Sequence, residues 1–252
     1  MNHMFLLLPG FGCDGDSMKE LRESLEHHHG EGCCRTVDYD GLKSLAEMTE
    51  HVHSLVDPSP IILVGFSMGG WLAQVAAAGK QDSIVGVILV SSWTHAPPEY
   101  LDIVRQVHDR IASGEPFSNL RESVAMGFAE ESRREELADR WLEMVQRVGP
   151  DTFINQTRAI LADPHVDEHA RRLAIPVLSL IGDQDQLIPP RFQREATECM
   201  PDCTATVIKD CGHNLPWEQP GPCNAAVEKW LSGLSDSDCV YRAIPDWSCC
   251  AF

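Results

Sequence analysis

The sequence lacks the features that mark membrane proteins and nucleic-acid-binding proteins. No run of residues is long and apolar enough to cross a bilayer, and the N-terminal run Met4–Leu8 stops at Pro9, too early for a signal-peptide core. Basic residues are scarce: 20 stand against 38 acidic ones, which gives a formal charge of −18. That balance argues against nucleic acid or an anionic membrane as a partner. We therefore expect a cytoplasmic protein, without membrane insertion, that acts on an uncharged or mildly charged small molecule.

Cysteine spacing typical of a metal site or a disulfide framework is also missing. The chain has ten cysteines, but no CxxC pair, and both Cys33-Cys34 and Cys249-Cys250 are adjacent in sequence. The histidines at 27–29 fall at the end of a predicted helix, where successive side chains diverge, and a solvated helix end is favoured over a metal site. We expect free thiols, no metal and no cofactor.

What the sequence does contain is an alternation of apolar runs and helical patterns. Near-continuous apolar runs at 4–8, 61–64, 84–90 and 176–181 are typical of strands buried on both faces. Short strands are predicted at 33–37 and around 205–208. At 252 residues, with 43% hydrophobic content, one domain with a substantial core is expected. The pattern predicts an α/β fold with a mostly parallel sheet of about six strands and helices on both faces.

Between residues 96 and 173 the strand pattern disappears. Helices are predicted there at 97–112, 118–128, 132–148 and 150–162. We therefore predict a core formed by 1–95 and 174–234, a helical cap inserted at 96–173, and a C-terminal tail at 235–252. The cap is interpreted as a lid over the site, the alternative being a stabilising appendage. For the tail, disorder and docking on the core both remain open.

Residues 65–69, with the sequence GFSMG, join the apolar run at 61–64 to a helix-forming segment. Strand, sharp turn and helix are the context of a nucleophile elbow, in which a strained serine exposes its hydroxyl above the sheet. Ser67 also lies at a helix N-terminus, where free N–H groups favour negative charge. The alternative is a Gly-Ser turn without chemistry.

A serine hydroxyl needs a base, and the base needs an orienting acid. His213 follows the last predicted strand and is the best candidate for the base, with His95 the main competitor by position. Asp185 is favoured as the acid over Asp183, which directly follows a glycine and has the position of a turn residue. The order Ser67, Asp185, His213 is nucleophile, acid, base.

With these motifs the chain resembles the α/β-hydrolase superfamily, over roughly residues 4–231, and within it small serine esterases with a helical cap such as the pimeloyl-carrier-protein methyl esterases. The resemblance implies an α/β-hydrolase fold and an oxyanion hole made by the backbone N–H groups of Phe11 and Met68. The family usually has His-Gly in the first loop, where this chain has Pro9-Gly10.

The expected activity is hydrolysis of a carboxylic ester or thioester through an acyl-enzyme intermediate, by a monomer or homodimer. Acyl transfer, carbon–carbon hydrolysis and lyase chemistry use the same triad and remain alternatives, as does a non-catalytic binding protein. Trp93 and His95 are predicted to bind substrate because they follow a strand that abuts the site. Other cap and core side chains that are candidates for the pocket lining are Phe117, Met126, Phe128, Trp141, Met144, Phe153 and Ile160.

Overall fold

A computed structural model describes residues 4–56 and 60–234. Six strands form one sheet in the order β2-β1-β3-β4-β5-β6, and every neighbouring pair is parallel. The strands are β1 Met4–Leu8, β2 Cys34–Thr36, β3 Ile61–Phe66, β4 Ile84–Val90, β5 Val177–Gly182 and β6 Cys203–Ile208. Because the strands are parallel, their carboxyl ends share one edge. The predicted tail at 235–252 lies outside the described residues.

Helices cover both faces of the sheet. They are α1 Lys19–His29, α2 Leu45–Leu55, α3 Met68–Gly79, α4 Pro98–Ala112, α5 Arg121–Ala125, α6 Arg134–Val148, α7 Pro150–Ala162, α8 Asp167–Ala170, α9 Pro190–Cys199, α10 Leu215–Glu218 and α11 Pro220–Gly233. Single 3-10 turns occur at Gly15–Met18, Phe117–Leu120 and Glu131–Arg133. Among the described residues, no helix combines the length and the apolar character needed to span a membrane.

Two apolar layers hold the fold together. Side chains alternate along a strand, so Leu6 and Leu8 of β1 pack with α2 and α3, whereas Phe5 and Leu7 pack with α1 and α11. All of β3 is buried, as its continuous apolar run predicts for a central parallel strand. The α/β-hydrolase fold and the six-stranded sheet predicted from the sequence are confirmed.

The segment 96–173, called the cap below, contains α4 to α8. The single helix predicted at 118–128 is wrong: a 3-10 turn is followed by α5, which ends at Ala125, and the chain then loses regular structure. The reason is tertiary. The carbonyl of Gly127 accepts the His213 N–H at 3.0 Å, and the Ala129 N–H donates to Glu218 at 2.7 Å, so these groups do not make helical bonds.

Candidate active site

Ser67 occupies the sharp turn between β3 and α3. Its backbone has φ 51° and ψ −116°, a conformation that L-residues rarely adopt and that is found mostly at functional sites. The turn fits only because Gly69 has no side chain. A Cβ there would lie 2.5 Å from the carbonyl carbon of Leu8, in contact with the Leu8 oxygen and 2.8 Å from the Pro9 oxygen. The sequence thus places a strained serine at the carboxyl edge of the sheet.

Three of the side chains predicted to carry the chemistry meet at this edge. The Nε2 atom of His213 lies 3.0 Å from Oγ of Ser67, and its Nδ1 atom lies 2.8 Å from Oδ2 of Asp185. All three residues are buried. A carboxylate only accepts hydrogen bonds, so Nδ1 carries the proton and Nε2 is left to accept the Ser67 hydroxyl. The geometry is that of a nucleophile, a base and an orienting acid.

Asp185 is held by more than the histidine. Its Oδ1 atom accepts the N–H groups of Leu187 and Ile188, each at 2.9 Å, and Oδ2 accepts Nε2 of Gln193 at 2.9 Å. Asp183, the alternative acid, instead lies 3.4 Å from Nζ of Lys209 and accepts the Cys211 N–H at 3.3 Å. The structure therefore places Asp185, and not Asp183, against the imidazole.

Glu218 fixes the loop that carries His213. This buried carboxylate accepts N–H groups from Gly212 at 3.0 Å and Asn214 at 3.1 Å, in addition to the cap residue Ala129. Burial raises the pKa of Glu218, while the three N–H donors act in the opposite direction. Glu218 thus ties the cap to the histidine loop, a role for which the sequence gives no signal beyond its position five residues after His213.

The first loop, residues 9–15, lies beside the serine. A Cβ on Gly10 would be 3.3 Å from the Cβ of Ser67, and the Tyr39 hydroxyl holds the loop through the Pro9 carbonyl at 3.2 Å. Within the described part of the chain, the backbone N–H groups of Phe11 and Met68 have no hydrogen-bond acceptor. Both predicted donors are therefore free, in two segments that flank Ser67.

A cavity of about 260 Å³ opens above Ser67. It is lined by Phe11, Cys13, Phe66, Ser67, Tyr100, Ile103, Val104, Val107, Leu120, Ser123, Val124, Met126, Gly127, Phe128, Trp141, Phe153, Gln186, Leu187, His213 and Asn214. None of these side chains is an Asp, Glu, Lys or Arg, although the chain is strongly acidic. Ile103 and Met126 are also 40% and 62% exposed, so the cavity reaches the surface beside them.

The cavity is lined by four of the cap residues that are candidates from the sequence, namely Met126, Phe128, Trp141 and Phe153. The two residues favoured for substrate binding, Trp93 and His95, do not. Trp93 is fully buried, stacks near Trp71 and donates to the Pro164 carbonyl at 3.2 Å. His95 is largely exposed and stacks on His165. Ser91, which follows β4, has φ 49°, and the next residue, Ser92, donates its hydroxyl to the Ser67 carbonyl at 2.9 Å. Phe117, Met144 and Ile160 also lie outside the lining.

Histidines and acids elsewhere approach one another only in small groups. His29 lies 3.2 Å from Glu228, which also faces His28 at 3.8 Å, and His95 lies 3.3 Å from Asp167. Across residues 4–56 and 60–234, no group of three or more His, Cys, Asp or Glu side chains is placed to hold a metal ion.

Fold and site together define an esterase-like α/β hydrolase, and the chain belongs to the alpha/beta hydrolase family, whose model matches residues 5–226. It is 26% identical over 227 residues to the pimeloyl-[acyl-carrier protein] methyl ester esterase of Aliivibrio fischeri (strain ATCC 700601 / ES114), covering 82% of this chain and 85% of that protein.

Solved structures give the same fold. A thermophilic esterase from Thermogutta terrifontis superposes with a TM-score of 0.78 at 25% identity, covering 91% of this chain and 89% of the esterase. The enol-lactonase from Burkholderia xenovorans LB400 superposes with a TM-score of 0.80 at 17% identity, covering 92% of each chain, and shows likeness of fold alone.

Proposed function

We propose that this protein hydrolyses small, uncharged carboxylic esters through an acyl-enzyme intermediate on Ser67. The observation that carries the proposal is the continuous hydrogen-bonded series from Ser67 through His213 to Asp185, which opens into an uncharged cavity. The similarity to a methyl ester esterase and to a thermophilic esterase supports ester hydrolysis in particular.

In the first half-reaction, Oγ of Ser67 attacks the ester carbonyl carbon while Nε2 of His213 takes the hydroxyl proton. Asp185, hydrogen-bonded to Nδ1, holds the ring in the required tautomer and stabilises the imidazolium. The carbonyl oxygen becomes an oxyanion, which accepts the free N–H groups of Phe11 and Met68. Collapse of this intermediate breaks the bond to the alcohol, and His213 returns the proton to the leaving oxygen.

In the second half-reaction, water replaces the alcohol. His213 removes a proton from the water as its oxygen attacks the acyl carbon, and the same two N–H groups hold the second oxyanion. Breaking the bond to Oγ releases the carboxylic acid and restores the Ser67 hydroxyl. Each oxyanion donor contributes about 3 kcal/mol to the transition state in enzymes of this type.

The cavity sets the size and polarity of the substrate. The enclosed volume of about 260 Å³ favours a short acyl chain, and the opening beside Ile103 and Met126 leaves room for the alcohol part of the ester. Since no charged side chain lines the cavity, a charged group placed there would lose its hydration without gaining a partner. Neutral esters with short acyl chains are therefore the expected substrates.

A panel of p-nitrophenyl esters from acetate to dodecanoate tests this proposal. Turnover should be faster for the acetate and butyrate esters than for the dodecanoate ester, because the enclosed volume is small, and Ser67→Ala should lose about 10⁴-fold or more of it. Ser113→Ala, which changes an exposed serine at the end of α4, is the matched control and should behave like the unaltered protein. Turnover by Ser67→Ala at the rate of the control would refute the mechanism.

A fluorophosphonate probe separates the remaining alternatives. It should label the unaltered protein and not Ser67→Ala, because the probe reacts only with an activated serine. Labelling without ester turnover would shift the activity to another reaction of the same triad. Neither labelling nor turnover would leave a binding protein.

A further inference from the structure

The first loop turns sharply at residues 10–13. The Cys13 N–H donates to the Gly10 carbonyl at 3.2 Å, which closes a β-turn with Gly12 in its third position. Gly12 has φ +66°, a value that suits glycine and that type II turns require at this place. Phe11, one of the two proposed oxyanion donors, is the second residue of this turn.

The peptide group that joins Phe11 to Gly12 is held at both ends. Its N–H, from Gly12, donates to Oε1 of Gln156 at 2.8 Å, and its carbonyl, from Phe11, accepts the Cys13 thiol at 3.3 Å. Burial raises the pKa of Cys13, so the sulfur keeps the proton that it donates. With the central peptide fixed in this way, the turn keeps the Phe11 N–H out of any internal hydrogen bond.

Gln156 comes from the cap, not from the core. It lies on the buried stripe of α7 between Phe153 and Ile160 and is itself fully buried. Its Nε2 atom has no hydrogen-bond partner within the described residues. An unpaired buried amide donor costs free energy, so packing alone would favour an apolar side chain here. The feature that distinguishes glutamine from a leucine or methionine at this position is its bond to Gly12.

Two further cap side chains contact the same loop. The Phe153 ring lies 4.4 Å from that of Phe11, measured between centroids. From α6, the Arg147 guanidinium binds both carboxylate oxygens of Asp14, at 2.8 and 3.3 Å. The loop is thus clamped between α3 on one side and the cap on the other.

We infer that Gln156 is a positioning residue for the reaction, since its bond to Gly12 holds the first loop in the form that leaves the Phe11 N–H free for the oxyanion. The inference rests on the proposed function, because it assumes an oxyanion at Ser67. It makes the cap a part of the catalytic apparatus as well as a wall of the cavity.

The test compares kcat and KM for p-nitrophenyl butyrate among Gln156 variants. Gln156→Met keeps the length and bulk but lacks the acceptor, and Gln156→Asn keeps the amide but is one methylene too short. Each should lower kcat about 10- to 100-fold, less than outright loss of an oxyanion donor, with KM within about threefold. We expect kcat to fall without a matching change in KM because the oxyanion is absent from the bound ground state and forms only in the transition state.

Two further variants show whether the acceptor is responsible. Gln156→Glu keeps an oxygen at the position of Oε1 and, at the lowest pH at which the enzyme turns over, burial should keep it protonated and neutral. It should recover kcat to within about fivefold of the unaltered protein. Gln81→Met removes a similar bond, in which Oε1 accepts the Ala174 N–H at 2.7 Å, together with a bond from Nε2 to the Arg172 carbonyl at 2.9 Å. Gln81 does not line the cavity, so this change should leave kcat unchanged.

The same measurements distinguish an error in the inferred role of Gln156 from an error in the proposed function. If the unaltered protein hydrolyses the ester and Ser67→Ala does not, the proposed function stands. If Gln156→Met and Gln156→Asn then match the unaltered kcat, or if KM rises while kcat holds, the positioning role is wrong. Should Gln156→Met fail to fold by circular dichroism, Gln156→Asn decides the outcome by the same kcat criterion.

Discussion

Gly69 is the position at which adding a single methyl group should be most destabilising. It is the second residue of α3, directly beneath the first loop, and its added Cβ would meet backbone and not a movable side chain. Cβ atoms in proteins stay at least 3.0 Å from backbone atoms of other segments, whereas a Cβ on Gly69 would lie 2.5 Å from the Leu8 carbonyl carbon and nearer still to the Leu8 oxygen. In Gly69→Ala the helix and the first loop must separate by at least about 0.5 Å.

The cost follows from that separation. Overpacking a well-packed interior costs about 1–3 kcal/mol, and we expect the upper end or more because no rotamer change relieves a backbone clash. For a chain of this size, 3 kcal/mol corresponds to a fall in Tm of roughly 6–12 °C. A displacement approaching 1 Å between reacting groups costs about 100-fold in rate. Gly69→Ala should therefore lose most of its kcat as well as stability.

Gly221→Ala provides the matched control. Gly221 is also the second residue of a helix, α11, and an added Cβ meets nothing within 4 Å. Alanine is the better helix former by up to about 1 kcal/mol, so Tm should stay constant or rise and kcat should not change. Thermal unfolding by circular dichroism and ester turnover measure both effects. Equal Tm and kcat in the two variants would refute the claim that the close approach of Gly69 to Leu8 and Pro9 requires a glycine.

Two further predictions concern buried polar contacts. Gln193→Leu removes one of the four donors to Asp185, a bond to a charged group worth about 1.5–3 kcal/mol before compensation. We expect kcat to fall about tenfold and Tm to fall as well, because Nε2 also donates to the Ile188 carbonyl at 2.6 Å and both acceptors lose a donor; an unchanged kcat would contradict this. The hydrogen bond from Arg140 lowers the pKa of Asp16 in the folded protein. The ionised carboxylate therefore stabilises the fold at pH values above the pKa that Asp16 has in the unfolded chain. This stabilisation is lost as the pH falls through the lower pKa of the folded state. Urea unfolding should therefore show Asp16→Asn to be less stable by about 1–2 kcal/mol at pH 6–7, with the gap closing as the pH falls below the ordinary pKa of an aspartate; a gap independent of pH would exclude the linkage.

Much of the architecture was predictable from local signals. Strands buried on both faces leave continuous apolar runs, so β1, β3, β4 and β5 are visible in the sequence. The elbow is visible because strand, glycine, serine, glycine and helix follow one another without a gap. The meeting of Ser67, Asp185 and His213 was predictable from chain order and from strand ends, because parallel strands bring their carboxyl ends to one edge.

The sequence did not predict the features that depend on contacts between distant segments. Trp93 follows a strand that abuts the site, but its ring packs against Trp71 and Tyr100 and does not line the cavity, and nothing in the local sequence announces those partners. The helix expected around Gly127 is interrupted because His213 and Glu218 take its backbone groups.

Buried polar residues were the other omission. Gln156 lies on the apolar stripe of α7 and Gln193 is fully buried in α9, and a polar side chain in such a place is a signal that sequence periodicity can supply. What periodicity cannot supply is the identity of the partner, because Gly12 lies 144 residues away from Gln156 in the chain.

Contacts between the cap and the loops that carry Phe11 and His213 limit how the cap can be exchanged. Gln156 reaches the first loop, and the Gly127–Ala129 stretch reaches the loop of His213. A chimaera that receives the cap of a related enzyme inherits a different pocket, and it also loses these anchors unless the graft carries equivalents. Under the proposed function, the cap supplies both the wall of the cavity and the supports of the loops that carry Phe11 and His213, so a new substrate preference cannot be installed there without rebuilding those supports.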